Sequence, residues 1–381
     1  MSAFTRRDWL KAAAASPVAL ALSERFCSPL AFGAPSGDDV KAVVEKATEY
    51  FKTAQKDDGN FSTNPRAGEP GLTALIAAAL IRNGIPTDNT VVAKALKYLE
   101  SKVRKDGGVE SPGLSNYMTC LAIMTFKEAN TGGKYDKIIA AAAKYVKTLQ
   151  YGDGLKEDDP HFGGAGYDKP SPKGRPDMSN THFMVEALLA AGVSKDDPSI
   201  QRALTYISRS QNLESEFNKL PFAAKAGEDD KGGFVYNLDD ANNPNSPKRT
   251  ADGGLRSEGG MTYAGLKSFL YAGVGKDDKR VAAAITWIRK HYTVTENPGQ
   301  KDAGLYYYYH TFAKAMDALG EDMFADAKGV KHDWRQELFD ELKKRQKPNG
   351  SWVNSNGAFL ESMPEIASAF AVLALSYCKK K

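Results

Sequence analysis

Three titratable side chains stand where apolar helical segments of this sequence begin. Asp177 lies just before "SNTHFMVEALLAAG", Glu258 lies just before "MTYAGLKSFLYAG", and His310 lies inside "YYYYHTFAKAMDALG". Carboxyl and imidazole groups are common proton donors and acceptors in enzymes. The sequence therefore predicts Asp177, Glu258 and His310 as acid–base candidates for a catalytic site.

Polar and aromatic residues around the same segment starts predict a ligand-binding rim. The candidates are Asn116, Tyr117, Asn180, His182, Arg256, Tyr263, Tyr306, Tyr308 and Glu361. Aromatic faces attract positive charge, so they would stabilise a cation that develops on a ligand. Structural roles stay open beside this prediction. Asp177 and Asn180 could cap a helix, Glu258 could complement a helix N-terminus or pair with Arg256, and the two histidines could be core residues.

The stretch "AGLYYYYHTF" places four tyrosines directly before His310. On a helix, Tyr309 falls in line with the apolar residues of the segment, which predicts a core position. Tyr306 and His310 are one turn apart on another stripe and are expected to face the ligand site. Tyr307 shares its stripe with Lys314, so we expect it to meet solvent or an adjacent loop.

A repeat of two predicted helices supplies the elements that must position these residues. Six such units follow one another from residue 38 onward. The first helix of each unit is amphipathic, as in "VEKATEYFKTAQ", and the second, as in "TALIAAALIRNG", is apolar on nearly every face. A helix that is apolar all round must be enclosed, and stacked repeats bury one another's faces. The pattern predicts one all-α domain over residues 38–381, an (α/α)6 toroid of six helical hairpins in two concentric rings.

The fourth unit departs from the others in two ways. The stretch "GGFVYNL" (232–238) predicts a short β-hairpin. The loop over residues 228–260 is far longer than its counterparts, and long loops are often lids or binding loops. We therefore expect this loop to contribute to the ligand site.

The junctions between units carry a recurrent pattern, seen in "AQKDDGNF", "QYGDG", "KGGFVYN" and "RQKPNGSWVN". It resembles the Q-x-x-D/N-G-x-F/W repeat of the α/α-toroid family of squalene and terpene cyclases and protein prenyltransferase β subunits. Gln346, Gly350 and Trp352 match it best. The resemblance spans nearly all of the repeat region. It implies a toroid whose outer helices are braced by stacking of the Gln side chain on the aromatic ring.

The catalytic motifs of that family are missing from this sequence. Class II terpene cyclases use a D-x-D-D motif whose middle Asp donates a proton. The Asp–Asp pairs here lack the earlier Asp, and "NLDDANN", with Asp239 and Asp240, comes nearest. Protein prenyltransferases bind zinc through a D-x-C triplet and a His, and no such triplet occurs. We therefore expect no metal and no cofactor.

The N-terminal segment resembles a twin-arginine export signal. Arg6 and Arg7 precede "DWLK" and a mildly apolar stretch that is too short for a membrane span. The sequence predicts a signal peptide over residues 1–34 and a mature chain that begins near Pro35 in the periplasm or outside the cell. The alternative is an amphipathic first helix.

Composition excludes two kinds of partner. The net charge is +4 and basic residues are scattered among acidic ones, so no basic stripe favours nucleic acid. No apolar run reaches the roughly 20 residues of a transmembrane helix. Cys120 and Cys378 lie in apolar patterns and are predicted as separate buried thiols, with a disulfide in an oxidising compartment as the alternative. We expect a monomer.

Three functions remain open on this fold. The first is an enzyme or binding protein for a small isoprenoid or other apolar ligand in the central cavity. The alternative is a non-catalytic toroid that binds a glycan, lipid or protein partner. The third is a polysaccharide-degrading (α/α) barrel enzyme. A deep apolar cavity would favour the first function, whereas a wide charged groove would favour a glycan or protein ligand.

Overall fold

The computed structural model describes residues 33–62, 69–110, 113–171 and 174–379, which form thirteen α-helices and one two-stranded sheet. The helices are α1 (Gly37–Ala54), α2 (Gly71–Arg82), α3 (Thr90–Ser101), α4 (Ser115–Glu128), α5 (Asp136–Lys147), α6 (Met178–Ala190), α7 (Pro198–Arg209), α8 (Pro221–Ala224), α9 (Gly259–Tyr271), α10 (Lys279–Lys290), α11 (Leu305–Leu319), α12 (Trp334–Arg345) and α13 (Pro364–Leu375). Strands β1 (Met323–Ala325) and β2 (Lys331–Asp333) pair antiparallel. Nearly all of the predicted signal peptide, residues 1–32, lies outside the described residues.

Six helices form a closed inner ring. Helices α2, α4, α6, α9, α11 and α13 pack in this order, and α13 packs against α2 to close the ring. Most of their residues are buried, whereas α1, α3, α5, α7, α10 and α12 bury one face and form an outer layer. Because an outer helix returns the chain between consecutive inner helices, the inner helices run in the same direction. This confirms the predicted (α/α)6 toroid.

A repeated glutamine ties each of four outer helices to the next one. Gln346 Nε2 donates to Gly350 O in its own loop and to Val43 O in α1, both at 3.0 Å. The equivalent residues Gln55, Gln150 and Gln211 donate in the same two ways, to a loop glycine and to the following outer helix. The outer layer is therefore braced by hydrogen bonds from the glutamine amide.

The loop glycine of this repeat allows the close approach. Gly350 has a φ of +89°, and a Cβ atom there would lie 2.2 Å from Lys46 O in α1. A larger residue would clash with the neighbouring backbone and would adopt a costly left-handed conformation. Gly350 therefore allows the loop after α12, the last outer helix, to pack directly on the backbone of α1, the first outer helix.

The predicted hairpin at residues 232–238 is wrong. Phe234 forms an isolated bridge with Gln211, and its amide donates to Thr262 Oγ1 at 3.0 Å. A 3₁₀ turn follows at Leu238–Asn242. The backbone of this segment therefore bonds to Gln211, just after α7, and to Thr262 in α9, so the segment does not pair with itself. The sheet forms at β1 and β2 instead.

Three other features concern the long loop, the cysteines and the membrane. The loop over residues 228–260 packs into a second apolar cluster that includes Tyr206, Phe222 and Leu255. Cys120 and Cys378 are free and buried, as predicted. Within the described part of the chain, the helices are too short or too polar to cross a membrane.

Candidate functional site

A central cavity of about 330 Å³ lies at the end of the ring where the inner helices begin. Its wall is mostly apolar and aromatic: Gly71, Leu72, Leu75, Leu114, Tyr117, Met118, Leu121, Tyr167, Ser179, Phe183, Tyr307, Phe359, Leu360, Ile366 and Phe370. The volume falls within the range of small-molecule sites, roughly 300–1,000 Å³. The parallel direction of the inner helices explains this wall, because it brings the first turns of α2, α4, α6, α11 and α13 to one rim.

The mouth of the cavity carries two residues with left-handed backbone. Phe359 has a φ of 57° and Leu360 a φ of 60°, and both side chains are more than 40% exposed. The ring of Phe359 stacks on that of Tyr307, with centroids 6.2 Å apart and an interplanar angle of 11°. Left-handed backbone is costly for a residue with a side chain, and such strain is concentrated at functional sites.

Few polar groups reach the cavity wall. Ser179 Oγ donates to Asp177 Oδ1 at 2.7 Å, and the Tyr167 hydroxyl lies 3.3 Å from the Tyr236 hydroxyl. The Tyr307 hydroxyl lies 2.5 Å from His182 Nε2. Of these contacts, the one made by Tyr307 leads toward the centre of the ring.

A cluster of charged side chains lies on the ring axis below the cavity. We call it the axial cluster, and it comprises His182 and Glu186 of α6, Lys267 of α9, and His310 and Lys314 of α11. Lys267 Nζ lies 3.2 Å from His182 Nδ1 and 2.7 Å from Glu186 Oε2. Lys314 Nζ donates to the other carboxylate oxygen of Glu186. All five residues are buried.

Burial and the charges of neighbouring side chains shift the pKa values of the residues in the axial cluster. Burial alone would raise the pKa of Glu186, but the ammonium groups of Lys267 and Lys314 outweigh it and hold that pKa well below its usual range. Burial lowers the pKa of Lys314 to about 7, although Glu186 opposes this shift. Burial, with neighbouring ammonium groups, also lowers the pKa of His182 and His310. Both imidazoles are therefore neutral at pH 7.

His310 lies in a narrow space between the cavity and the charges. It lines a void of about 20 Å³ together with Lys314, and Leu75, Leu121 and Phe183 line both this void and the main cavity. His310 Nδ1 has no hydrogen-bond partner among the described residues. Its predicted role in acid–base chemistry stays a prediction.

The opposite end of the ring has a polar opening. This second cavity, of about 480 Å³, is lined by Arg82 and Glu128 and also by Glu186 of the axial cluster. Arg82 pairs with Glu128 at 2.7 Å and also lines the 20 Å³ void. Glu186 therefore also borders this second cavity, on the side away from the apolar cavity.

The structure places the predicted residues of α4 and α6 in two groups. Tyr117 lines the cavity, where its ring meets that of Phe183 edge-on at 5.1 Å. Asp177 caps α6 by accepting from Asn180 N and Asn180 Nδ2, each at 2.8 Å, as the capping alternative predicts. Asn116 Nδ2 donates to Gly166 O at 3.0 Å. Asp177, Asn180 and Asn116 lie outside the cavity wall, and burial raises the pKa of Asp177.

The predicted residues near α9 also lie away from the cavity. Glu258 is buried at the start of α9 and pairs with Lys248 at 2.8 Å, and burial raises its pKa. Arg256 is 56% exposed in its side chain and pairs with Asp230 at 3.4 Å. The alternative ion pair between Arg256 and Glu258 is therefore wrong.

The tyrosines predicted to face a ligand are buried outside the cavity wall. Tyr308 donates its hydroxyl to Thr293 O at 2.6 Å, and the ring of Tyr263 packs against it at 5.7 Å. The ring of Tyr306 packs edge-on against that of Tyr309, 5.8 Å away. Tyr309 is a core residue, as predicted.

Tyr307 corrects the sequence-based interpretation of the tyrosine run. It was expected to meet solvent or a loop, but it is buried and lines the cavity. Glu361 accepts from Tyr307 N at 2.8 Å, so this carboxylate caps the start of α11 and positions Tyr307. Burial raises the pKa of Glu361, which lies outside the cavity wall.

Sequence reasoning missed Tyr307, Glu186, Lys267 and Lys314. One signal could have found three of them: each is a charged residue inside an inner helix that is otherwise almost entirely buried. A charge in such a position must be paired. Within the described ranges, no group of three or more His, Cys, Asp or Glu side chains is arranged to hold a metal ion.

Comparisons with known proteins agree with the fold and with the resemblance seen in the repeats. Residues 66–228 match the family model of the squalene-hopene cyclase C-terminal domain. A variant of the type II terpene cyclase MstE from Scytonema is 11% identical, with a TM-score of 0.54 over 90% of this chain and 97% of that chain. A possible member of the GH105 family from Salmonella enterica is also 11% identical, with a TM-score of 0.54 over 99% and 98% of the two chains. No curated protein matches the sequence.

These similarities define what the chain resembles. The predicted resemblance to squalene and terpene cyclases is confirmed by the family model and by the shared toroid. At 11% identity the solved structures show the fold alone.

Proposed function

We propose that this toroid binds a small isoprenoid or another apolar ligand in its central cavity. One observation carries the proposal: the wall of the 330 Å³ cavity is built almost entirely from aliphatic and aromatic side chains. Transfer of apolar surface from water into such a cavity favours binding by about 25 cal/mol per Å² buried. The resemblance to the squalene and terpene cyclases supports an isoprenoid as the ligand class.

The size of the cavity limits the ligand. An apolar cavity of roughly 150 Å³ holds one benzene ring, so about 330 Å³ accommodates on the order of a dozen carbon atoms. The strained and exposed mouth at Phe359 and Leu360 would allow a longer chain to extend outward. A glycan is a poorer fit, because sugar hydroxyls need many polar partners and the wall offers few.

Export belongs to this proposal as well. The paired Arg6 and Arg7 support transport by the twin-arginine pathway to the periplasm or the cell exterior. N-terminal sequencing of the protein purified from separate cell fractions tests this. Protein that is found in the cytoplasm and still carries residues 1–34 would contradict it.

Native mass spectrometry of the protein purified from its own host tests the ligand. We expect a co-purifying small apolar molecule that organic extraction removes. Titration of the extracted protein with farnesol then measures the affinity of the empty cavity. Failure to retain any molecule together with failure to bind farnesol would overturn the proposal.

A cavity-filling substitution locates the binding site. Leu121→Trp places a large ring in the wall of the cavity, so farnesol affinity should fall by about tenfold or more. The matched control is Val330→Trp, which adds the same ring at a position that is 52% exposed between β1 and β2. Equal affinities in the two variants would place binding outside the cavity.

A further inference from the structure

A continuous hydrogen-bonded chain runs from the cavity wall into the axial cluster. It begins at the Tyr307 hydroxyl, passes through the His182 ring, with contacts of 2.5 Å and 3.2 Å, and reaches Lys267 Nζ. Lys267 is held by Glu186 Oε2 at 2.7 Å. The members of this chain come from three inner helices, α6, α9 and α11, so the fold itself assembles it.

The donors and acceptors along this hydrogen-bonded chain follow a fixed order. An ammonium group donates and cannot accept, so Lys267, charged in its ion pair with Glu186, donates to His182 Nδ1. The neutral ring then carries its proton on Nε2 and donates it to the Tyr307 oxygen. In this arrangement the Tyr307 hydroxyl donates to no residue that the structure describes, and because Tyr307 lines the cavity, its proton is free for a ligand there.

The surrounding charge reinforces this direction. With both histidines neutral, Lys267 and Glu186 balance each other, and Lys314, whose pKa is about 7, adds a positive charge to the axial cluster at and below that pH. The first turns of five inner helices also surround the cavity, and the N-terminal end of a helix carries a partial positive charge. Both effects favour a ligand atom with negative partial charge beside Tyr307.

We infer that the cavity selects apolar ligands that carry an oxygen acceptor, such as a carbonyl group, and binds that oxygen through the Tyr307 hydroxyl. The inference rests on the proposed function and adds the chemical class of the ligand. Tyr307 is the binding residue, whereas His182 and Lys267 are positioning residues that hold its hydroxyl as a donor.

The test compares two probes in one protein. The first probe is geranylacetone, an isoprenoid methyl ketone, and the second is the hydrocarbon of the same skeleton in which a methylene group replaces the carbonyl. The wild type should bind the ketone about tenfold more tightly, the expected effect of one hydrogen bond supported by a charged group. In Tyr307→Phe the buried carbonyl has no donor, so the ketone should bind no more tightly than the hydrocarbon, and the hydrocarbon should bind as well as it does to the wild type.

Tyr308→Phe is the matched control, since it removes the neighbouring hydroxyl on the same helix. That hydroxyl donates to Thr293 O and lies outside the cavity wall, so the tenfold preference for the ketone should remain. If Tyr307→Phe keeps the preference, or if Tyr308→Phe loses it, the inference is overturned while the proposed function stands. If the wild type binds neither probe, the proposed function fails and the inference fails with it.

The positioning role of Lys267 is tested by a separate measurement, the ratio of the affinities for a ketone and the corresponding alcohol. In Lys267→Met the His182 ring is free to carry its proton on Nδ1, and Tyr307 can then donate to Nε2 and accept from a ligand. The preference for the ketone over the corresponding alcohol should therefore fall by about tenfold, or invert, relative to the wild type. This ratio is measured within one variant, so a change in stability does not alter it. An unchanged ratio would show that Lys267 does not set the direction of the chain.

Discussion

Glu186 joins two ammonium groups in the middle of a ring of apolar helices. Its two carboxylate oxygens contact Lys267 and Lys314, and all three side chains are buried. A buried charge is tolerated only when its partners remain in place. Loss of any one member of the axial cluster should therefore lower the stability of the folded protein strongly.

Glu186→Gln should lower the free energy of unfolding by about 3 to 5 kcal/mol, because it leaves two buried ammonium groups without a carboxylate. Chemical denaturation monitored by circular dichroism measures this change. Glu128→Gln is the control: Glu128 pairs with Arg82 at a partly exposed site, so its loss should cost about 1 kcal/mol or less. Equal costs for the two variants would contradict a buried, mutually dependent cluster.

Lys314 makes stability depend on pH in a predictable direction. Its pKa is about 7 in the folded protein and about 10.5 without burial, so between these values the unfolded chain binds the extra proton. Stability attributable to this group therefore rises with pH above 7 and is flat below it. Glu186 faces Lys314 and stays ionised throughout this range because its pKa is lowered.

We expect Lys314→Met to remove this dependence. Between about pH 7 and pH 9, the free energy of unfolding of the wild type should rise by up to about 1.4 kcal/mol per pH unit relative to that of the variant. Denaturation curves of both proteins across that range give the difference. A constant difference would mean that Lys314 keeps its ordinary pKa.

At the scale of elements, the repeated glutamine does more than mark a boundary between units. The sequence resemblance implied stacking of Gln346 on an aromatic ring, and the structure adds two hydrogen bonds from its amide, one of which reaches Val43 in α1. These bonds satisfy one carbonyl group in the loop after α12 and one in α1. The repeat is thus visible in sequence, but one of the two partners of Gln346, Val43, lies 303 residues away.

Gln346→Ala should destabilise the protein by about 1 to 3 kcal/mol, because both hydrogen bonds are lost and the two carbonyl groups keep their places. Thermal unfolding measures the effect. Gln336→Ala is the matched control, since Gln336 lies on α12, which ends just before Gln346, and its half-buried side chain donates to Asp340 on the same helix. If both variants melt at the same temperature, the glutamine brace contributes nothing to stability.

At the scale of the whole molecule, closure of the ring makes every unit depend on two neighbours. Helix α13 packs against α2 as well as α11, so the end of the described chain completes the wall beside its beginning. Open repeat arrays tolerate loss of a terminal unit because stability adds along the chain. A closed ring has no terminal unit to lose.

Deletion of residues 334–381 should therefore abolish cooperative unfolding, because it exposes the apolar faces of both α2 and α11. Circular dichroism melts and solubility measure the outcome. The control is deletion of residues 1–34, the predicted signal peptide, which should leave the melting temperature unchanged. A cooperative melt after the first deletion would show that the molecule behaves as an open array.

The order of helices, their division into inner and outer sets and the closed ring followed from the sequence, because apolar periodicity is a local property and enclosed helices require a second layer. The capping role of Asp177 was also open to sequence reasoning. The stripe of α11 that faces the axis was not: a helix buried on every side shows no amphipathic contrast, so the sequence favoured Tyr306 and Tyr308 for the ligand site and placed Tyr307 toward solvent or a loop. Only the packing of six helices around one axis decided that Tyr307 reaches the cavity and that charges from three helices meet below it.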